Sequence, residues 1–344
     1  MIKKKLTLFS ILMIVLLSST VFAGCSSTTT TTTKTALKTI RLNEVARSVF
    51  YAPFYVAMNQ GFFKDQGLTI DLTTGQGADK TMQQVLSKSD DIGFCGPEQV
   101  IYINNKGRED YPVIFGQLTA TDGSFLVGRK AEPNFSWANL KGKTIIGGRV
   151  GGIPEMALEY SLKKNGLNPA KDINFVTNIA YTATAGAFKS GTGDYVALFE
   201  PAGSILEKAN AGSIVASVGA AVGAIPETCY FTSKSYMDKN PETLQKFMNA
   251  IYKGQTWVQK HTNAEVATQI KSFFPGTDVS LLTSVVENYR TIKAYKSDPL
   301  LSEADLTRFM DVIESYNKTL LPQRPAYSKI VNNTFSQNAI NNVK

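Results

Sequence analysis

The sequence predicts an α/β protein with two lobes, and three observations support this. Short apolar runs alternate with amphipathic stretches, a pattern typical of strands followed by helices. This pattern occurs twice, and long amphipathic helices follow it. The chain of 344 residues also exceeds what one hydrophobic core usually holds, so two lobes are expected.

The first α/β block contains five apolar runs that we interpret as strands, with helices between some of them. Pro53 and Pro97 stand where two of these helices begin, and the first helical turn tolerates proline. The predicted strands cover 40–45, 68–72, 91–94, 113–118 and 124–127, and the predicted helices cover 53–60, 78–87 and 97–105.

The second block repeats the arrangement and leads into the helical C-terminal part. Leu244, Phe247, Met248, Ile251 and Tyr252 recur at helical spacing in one of its long helices. The tail from residue 321 is rich in Asn, Ser and Pro, and we expect it to be partly ordered at best. The predicted strands cover 144–147, 173–177 and 195–199, and the predicted helices cover 154–165, 183–189, 201–210, 241–261, 278–293 and 302–319.

Two segments, 125–133 and 224–233, could connect the blocks. Two crossings between lobes make a hinge with a cleft. We therefore predict one lobe from 39–127 plus 231–344 and a second lobe from 128–230.

The N-terminus has the features of a targeting segment. Three lysines, Lys3 to Lys5, precede an apolar run over 6–21 that is short for a membrane span. Ala23, Gly24 and Cys25 follow and resemble a bacterial lipobox, in which the cysteine is acylated; an ordinary signal peptide is the alternative. We predict a lipoprotein signal peptide over 1–24, a lipidated Cys25 opening a Thr-rich tether over 25–38, and a location on the extracytoplasmic face of the cell membrane.

Composition argues against several classes of function. The net charge of +8 comes from scattered lysines without a basic stripe, so nucleic-acid binding has little support. The single histidine, His261, lies in a predicted C-terminal helix, and no nucleophile-elbow, phosphate-loop or zinc-protease motif occurs. We expect no enzyme, no cofactor, no metal site and a monomer. Cys95 and Cys229 could form one disulfide, but two cysteines give no framework pattern, and we favour free thiols.

Five short blocks resemble, in the correct order, the ABC-transporter solute-binding proteins that handle nitrate, alkanesulfonates, taurine and thiamine-type pyrimidines. The resemblance runs from about residue 39 to about 260 and implies a type II periplasmic-binding-protein fold that closes on its ligand, with a permease and an ATPase as partners. The blocks are 54–68 (FYVAMNQGFFKDQGL), 86–93 (LSKSDDIG), 137–143 (WANLKGK), 187–195 (AFKSGTGDY) and Glu200-Pro201.

Ligands of open α/β lobes sit beyond the carboxyl ends of the strands. The loops that follow the predicted strands therefore supply the candidate ligand-binding residues. These are Arg47, Ser48, Phe50, Tyr51, Gln76, Gly77, Cys95, Gly96, Glu98, Gly152, Glu155 and Glu200.

Three of these candidates, Glu98, Glu155 and Glu200, are acids that disfavour an anion by like-charge repulsion and suit amino groups. They could equally be helix caps. We expect an amino-bearing heterocycle such as a thiamine-precursor pyrimidine, stacked on Tyr51 and Phe50. The alternatives are an alkanesulfonate, taurine or nitrate-like anion held by Arg47 and Arg149, or a membrane-anchored sensor or enzyme of the same fold.

Overall fold

The structure is a computed structural model that describes residues 36–343. The predicted signal peptide, Cys25 and the tether as far as residue 35 lie outside the described residues. In the part that is described, no helix is both long and apolar enough to span a bilayer.

The first sheet is mixed and has the order β2-β1-β3-β10-β4. β1 pairs in parallel with β2 and β3, and β10 runs antiparallel between β3 and β4. All residues of β3, β4 and β10 are buried, as in sheets covered on both faces. The strands are β1 (Lys38–Glu44), β2 (Leu68–Thr74), β3 (Ile92–Cys95), β4 (Pro112–Gln117) and β10 (Cys229–Ser233).

The second sheet has the same size, with the order β7-β6-β8-β5-β9. β6 pairs in parallel with β7 and β8, and β5 runs antiparallel between β8 and β9. The strands are β5 (Ser124–Gly128), β6 (Thr144–Ile146), β7 (Asn174–Val176), β8 (Tyr195–Phe199) and β9 (Ser213–Ser217). Two α/β lobes are therefore present, as predicted.

The position of β5 corrects the predicted connection between the lobes. We placed residues 124–127 at the end of the first lobe, but β5 pairs over its length with β8 in the second sheet. An apolar run shows that a strand is buried but not which sheet it joins. The chain therefore crosses between the sheets over residues 118–123 and again over 223–228, rather than over 125–133 and 224–233.

Helices cover the sheets, and most predicted helices agree with the structure to within one or two residues. They are α1 (Ala52–Asn59), α2 (Phe62–Asp65), α3 (Ala78–Leu86), α4 (Glu98–Asn105), α5 (Ile153–Lys164), α6 (Pro169–Asp172), α7 (Thr184–Lys189), α8 (Ala202–Lys208), α9 (Val218–Val222), α10 (Lys234–Lys239), α11 (Pro241–Lys260), α12 (Asn263–Ile270), α13 (Val279–Thr291), α14 (Glu303–Asn317), α15 (Tyr327–Ile330) and α16 (Thr334–Asn342).

The C-terminal tail is ordered, contrary to the expectation from its composition. Phe335 and Ala339 on α16 are buried against α11, and Ser336 Oγ donates to the carbonyl of Phe115 in β4 at 2.8 Å. Few apolar residues are enough to order the tail because Leu321, Ile330 and Val331 are buried as well.

Cys95 and Cys229 are buried free thiols, as favoured from the sequence. They are opposite one another in the antiparallel pairing of β3 with β10.

Candidate functional site

A cavity of about 460 Å³ lies where the loops at the ends of the two sheets meet. Ligands of open α/β lobes are expected beyond the carboxyl ends of the strands, and the loops after β1, β2, β3, β6 and β7 contribute to this cavity. Ala197 and Phe199 at the end of β8 and the second crossing complete it. Its walls are Val45, Ala46, Ser48, Tyr51, Gln76, Gly77, Ala78, Asp79, Lys80, Gly96, Glu98, Gly147, Gly148, Arg149, Gly152, Ile153, Pro154, Thr177, Asn178, Ile179, Ala180, Tyr181, Thr184, Ala197, Phe199, Glu227 and Thr228.

Seven of the twelve predicted ligand-binding residues line this cavity. They are Ser48, Tyr51, Gln76, Gly77, Gly96, Glu98 and Gly152. Most of them come from the first lobe, whose strand ends were located correctly from the sequence.

Tyr51 lines the cavity although its side chain is almost fully buried. Its ring packs edge-on against Phe94 with 4.6 Å between centroids, and its hydroxyl lies 3.5 Å from Thr228 Oγ1 on the second crossing. Packing on both sides fixes this ring, so it offers the ligand a rigid surface.

Glu98 is the first residue of α4 and is 1% exposed. Its Oε1 accepts a hydrogen bond from Gln99 Nε2 at 3.2 Å, and Oε2 has no partner among residues 36–343. Burial raises the pKa of this carboxyl to about 6, although the positive charge of Arg149 opposes the shift. A buried acceptor without a partner is costly unless a ligand supplies one.

Gly96 allows this arrangement of Glu98. A Cβ at this position would lie 2.0 Å from Glu98 Oε2 and 2.7 Å from Ile153 Cδ1 of the second lobe. The absence of a side chain therefore lets the two lobes approach each other at the carboxyl group.

The second lobe contributes a largely apolar wall and one cation. The loop after β7 supplies Ile179 and Tyr181, and the Tyr181 ring lies edge-on to Phe199 with 6.2 Å between centroids. Arg149 reaches the first lobe, with Nε 3.5 Å from Asp79 Oδ1 and Nη2 3.8 Å from Glu98 Oε1. Sequence reasoning did not select the loop after β7 because no charged residue marks it.

Glu227 and Thr228 on the second crossing also line the cavity, and we did not predict them. Glu227 is 6% exposed, and its buried Oε2 lacks a partner within the described residues. Burial, together with the negative charges of Asp122 and Glu98, raises its pKa well above the usual value. The sequence did contain a signal for Glu227, because this acid lies within 224–233, a segment predicted to join the lobes.

Arg47 and Phe50 lie outside the cavity wall, although they follow β1 as predicted. Arg47 Nε is 2.7 Å from Glu44 Oε1, and its guanidinium lies over the rings of Tyr55 and Phe273. Phe50 is fully buried, with its ring centroid 5.1 Å from that of Tyr289. The helical turn at 49–51 directs Phe50 into the core and Tyr51 to the cavity.

Glu155 and Glu200 also lie outside the wall, where each is bonded to nearby groups. Glu155 Oε2 accepts from the Gly148 amide at 2.8 Å, and burial raises its pKa to about 8. Glu200 accepts from the Ser204 amide at 2.8 Å, from Ser204 Oγ at 2.6 Å and from Asn288 Nδ2 at 2.9 Å. Glu200 therefore bonds an amide in the first turn of α8, as the capping alternative predicts, whereas Glu155 bonds the loop that precedes α5.

Cys95 completes the set of predicted residues outside the cavity. Its side chain is buried, and Sγ is directed toward the Ala78 carbonyl at 3.7 Å. Burial raises the pKa of the thiol well above its usual value, so it is protonated at neutral pH.

Within residues 36–343, no group of three His, Cys, Asp or Glu side chains is placed to hold a metal ion. His261 stacks on Trp257 with 3.7 Å between ring centroids and is not part of the cavity wall.

A family model described as NMT1/THI5 like matches residues 49–265. The chain belongs to the NMT1/THI5-like family. A relative in Bacillus subtilis (strain 168), described as putative binding protein YtlA, is 42% identical over 301 residues, which are 88% of this chain and 90% of the relative. The family match contains all the residues of the cavity wall except Val45, Ala46 and Ser48.

Solved structures of ligand-binding proteins share the fold of this chain. The alkanesulfonate-binding protein SsuA from Xanthomonas axonopodis pv. citri, bound to MOPS, aligns with a TM-score of 0.68 at 17% identity, over 86% of this chain and 98% of that one. A ligand-binding component of an ABC-type import system from Staphylococcus aureus, with zinc bound, aligns with a TM-score of 0.70 at 12% identity, over 88% and 99%. The fold is therefore the two-lobed periplasmic-binding-protein fold, as the resemblance in the sequence implied.

Proposed function

We propose that this protein is the extracytoplasmic solute-binding component of an ABC importer, and that its ligand is an amino-bearing heterocycle held in the cavity between the lobes. The observation that carries the ligand class is the unpartnered Oε2 of Glu98 in a cavity with mainly apolar walls. An apolar cavity with a few polar groups that fix orientation is the usual form of a small-molecule site.

The architecture supports capture and release rather than catalysis. Two crossings, over 118–123 and 223–228, connect the sheets and permit hinge closure around a ligand. The family relative in Bacillus subtilis is described as a binding protein, and the Staphylococcus aureus neighbour is described as part of an import system. His-dependent catalysis in the cavity has no support because His261 is elsewhere.

The location on the membrane rests on the sequence of the N-terminus. Acylation of Cys25 after removal of residues 1–24 would hold a monomeric body beside the permease and its ATPase. Mass spectrometry of the membrane fraction tests this directly. We expect an N-terminal acylated Cys25 in the native protein and a secreted, unacylated protein from Cys25→Ser.

An alkanesulfonate or related anion is the second candidate ligand. Arg149 and Lys80 line the cavity, and the Xanthomonas neighbour binds alkanesulfonates. Arg149, however, lies beside two acids of the first lobe, which compensate its charge.

Mass spectrometry of the molecule that co-purifies with the protein, followed by calorimetry, decides between the two ligand classes. We expect an aminopyrimidine to bind and an alkanesulfonate to bind weakly. Tight binding of the sulfonate alone would exclude the amino heterocycle and leave the importer role intact.

A further inference from the structure

Each of the two crossings between the sheets carries one buried acid. Asp122 lies on the first crossing and is fully buried, and Glu227 lies on the second and is 6% exposed. Asp122 does not line the cavity.

Each of these two acids has one buried carboxyl oxygen without a hydrogen-bond partner among residues 36–343. Asp122 Oδ1 accepts from the amide of Ser124 at 2.8 Å and from Ser124 Oγ, but Asp122 Oδ2 is buried with no partner in the described part of the chain. Glu227 Oε2 and Glu98 Oε2 are likewise buried and have no hydrogen-bond partner among residues 36–343. Three buried carboxyl groups thus each have one oxygen that accepts nothing, where native proteins usually pair such atoms.

The three acids also influence one another. The negative charges of Asp122 and Glu98 both contribute to the raised pKa of Glu227, after burial. Burial raises the pKa of Asp122 to about 6, although the bonds from Ser124 oppose this shift. Five other titratable groups face them and are uncharged at neutral pH, and these are Tyr51, Cys95, Tyr102, Tyr181 and Cys229.

Arg149 offsets part of the charge of Glu98, but no cation among residues 36–343 pairs with Asp122 or Glu227. Arg149 lies beside Asp79 and Glu98, and Lys296 pairs with Asp298 at 3.8 Å. Lys80, the other cation of the cavity wall, is exposed on α3.

We propose that Glu227 and Glu98 form an acceptor site for a positively charged N–H group of the ligand, such as a protonated amino-heterocycle or an amidinium. Asp122 does not line the cavity and contributes through its negative charge. The inference rests on the proposed function, because it assumes that this cavity binds the solute. It goes further by assigning the charge of the ligand and by placing its recognition on the hinge.

The chemistry favours a cation over a neutral amine. A charged N–H donor makes shorter and stronger hydrogen bonds to carboxylates than a neutral one does. It also removes the repulsion between acids that belong to different crossings, so ligand charge and hinge position become linked.

Calorimetry with two ring compounds of the same size tests the site. At pH 7.5, 4-aminopyridine is a cation and 4-aminopyrimidine is neutral. We expect the wild-type chain to bind the cation about tenfold tighter or more, which corresponds to one charge-assisted hydrogen bond. Glu227→Gln and Asp122→Asn should remove this preference, and Glu155→Gln, which alters a buried acid outside the cavity, should keep it.

The outcomes separate the two proposals. Equal binding of the two probes, or a preference that survives Glu227→Gln, overturns the cation site and leaves the importer role and its amino heterocycle standing. Failure of both probes at millimolar concentration overturns the cation site and the proposed heterocycle together.

The unliganded protein supplies a second readout that does not depend on a probe. The raised pKa of Glu227 means that the folded state holds its proton longer than the unfolded state, so stability falls as the pH rises above about 4.5. Glu227→Gln should therefore melt at a higher temperature than the wild type at pH 8 and at about the same temperature at pH 4. An unchanged pH dependence would mean that Glu227 is well paired, and would overturn the inference.

Discussion

The buried acids of this protein fall into two groups that look alike in the sequence and differ in their partners. Glu155 accepts a hydrogen bond from the Gly148 amide in the loop before α5, and Glu200 accepts from Ser204 on α8 and from Asn288 on α13. At the hinge side of the cavity, Glu98, Asp122 and Glu227 each keep one buried oxygen without a partner among residues 36–343. The position of an acid beside the start of a helix therefore does not indicate ligand binding. An acid with a buried carboxyl oxygen that accepts no hydrogen bond is a candidate ligand acceptor, whereas an acid whose oxygens are bonded is structural.

The largest effect should come from removing a well-partnered acid. Glu200→Ala deletes the acceptor of three hydrogen bonds and leaves Ser204 and Asn288 without it. We expect a loss of about 4 kcal/mol in the free energy of unfolding, since each bond to a charged group contributes about 1.5–3 kcal/mol. Urea denaturation measures this.

Two matched variants make that comparison sharper. Glu207→Ala, on the helix α8 that follows Glu200, removes an exposed acid with one hydrogen bond from the Ile214 amide, and should cost less than about 1 kcal/mol. Glu98→Gln should also cost the unliganded protein less than about 1 kcal/mol, because Oε2 has no partner to lose and the variant removes a charge that burial disfavours. If Glu98→Gln were as damaging as Glu200→Ala, the division into two groups would be wrong.

An intermediate effect is expected for Glu155, which has a single backbone partner. Its pKa is raised to about 8 by burial, so the folded state binds more protons than the unfolded state between about pH 4.5 and 8. The stability that protonated Glu155 provides is fully present below pH 4.5 and is lost as the pH rises through this window. Glu155→Gln keeps an acceptor for the Gly148 amide and cannot ionise.

Chemical denaturation at pH 5 and pH 8.5 measures the contribution of Glu155. Each unit of pKa shift corresponds to about 1.4 kcal/mol in the free energy of unfolding. Opening of the loop over 147–152 relieves part of this cost. We therefore expect Glu155→Gln to reduce the loss of stability between pH 5 and pH 8.5 by about 2 kcal/mol. A variant that loses stability with pH as steeply as the wild type would show that Glu155 is solvated.

Most of the architecture could be predicted from the sequence, because it depends on local patterns. Helices over 78–86 and 241–260 follow from apolar spacing, and the strand ends fix which loops meet at the cavity. Seven of the twelve candidate residues line the cavity for that reason. Sheet membership was not predictable, since β5 has the same apolar character whichever sheet it joins.

The side-chain level was predictable only in part. Tyr51 and Phe50 are neighbours with similar chemistry, and only the turn at 49–51 decides which of them faces the cavity. Glu155 and Glu98 both lie in the first turn of a helix. Glu155 accepts a hydrogen bond from the Gly148 amide, whereas Glu98 Oε2 has no partner among residues 36–343. Such choices depend on contacts between distant segments, and no spacing rule encodes them.

The smallest effect is expected for Arg149, the cation that joins the two lobes beside Glu98. Its side chain is 44% exposed, and its distances of 3.5 and 3.8 Å to Asp79 and Glu98 are long for ion pairs. Arg149→Met should therefore change the free energy of unfolding by less than about 1 kcal/mol. Because Arg149 opposes the upward pKa shift of Glu98, the variant should also move that pKa above about 6.

Small-angle scattering gives the second readout for Arg149. Loss of a contact between lobes should increase the radius of gyration of the unliganded protein, whereas Arg41→Met, which breaks a pair with Asp91 within the first lobe, should not. If Arg149→Met lowered the free energy of unfolding by more than about 2 kcal/mol, or left the radius of gyration unchanged, Arg149 would be holding its own loop in place. The unpartnered oxygen of Glu98 would then be shielded by the fold instead of being open to a ligand.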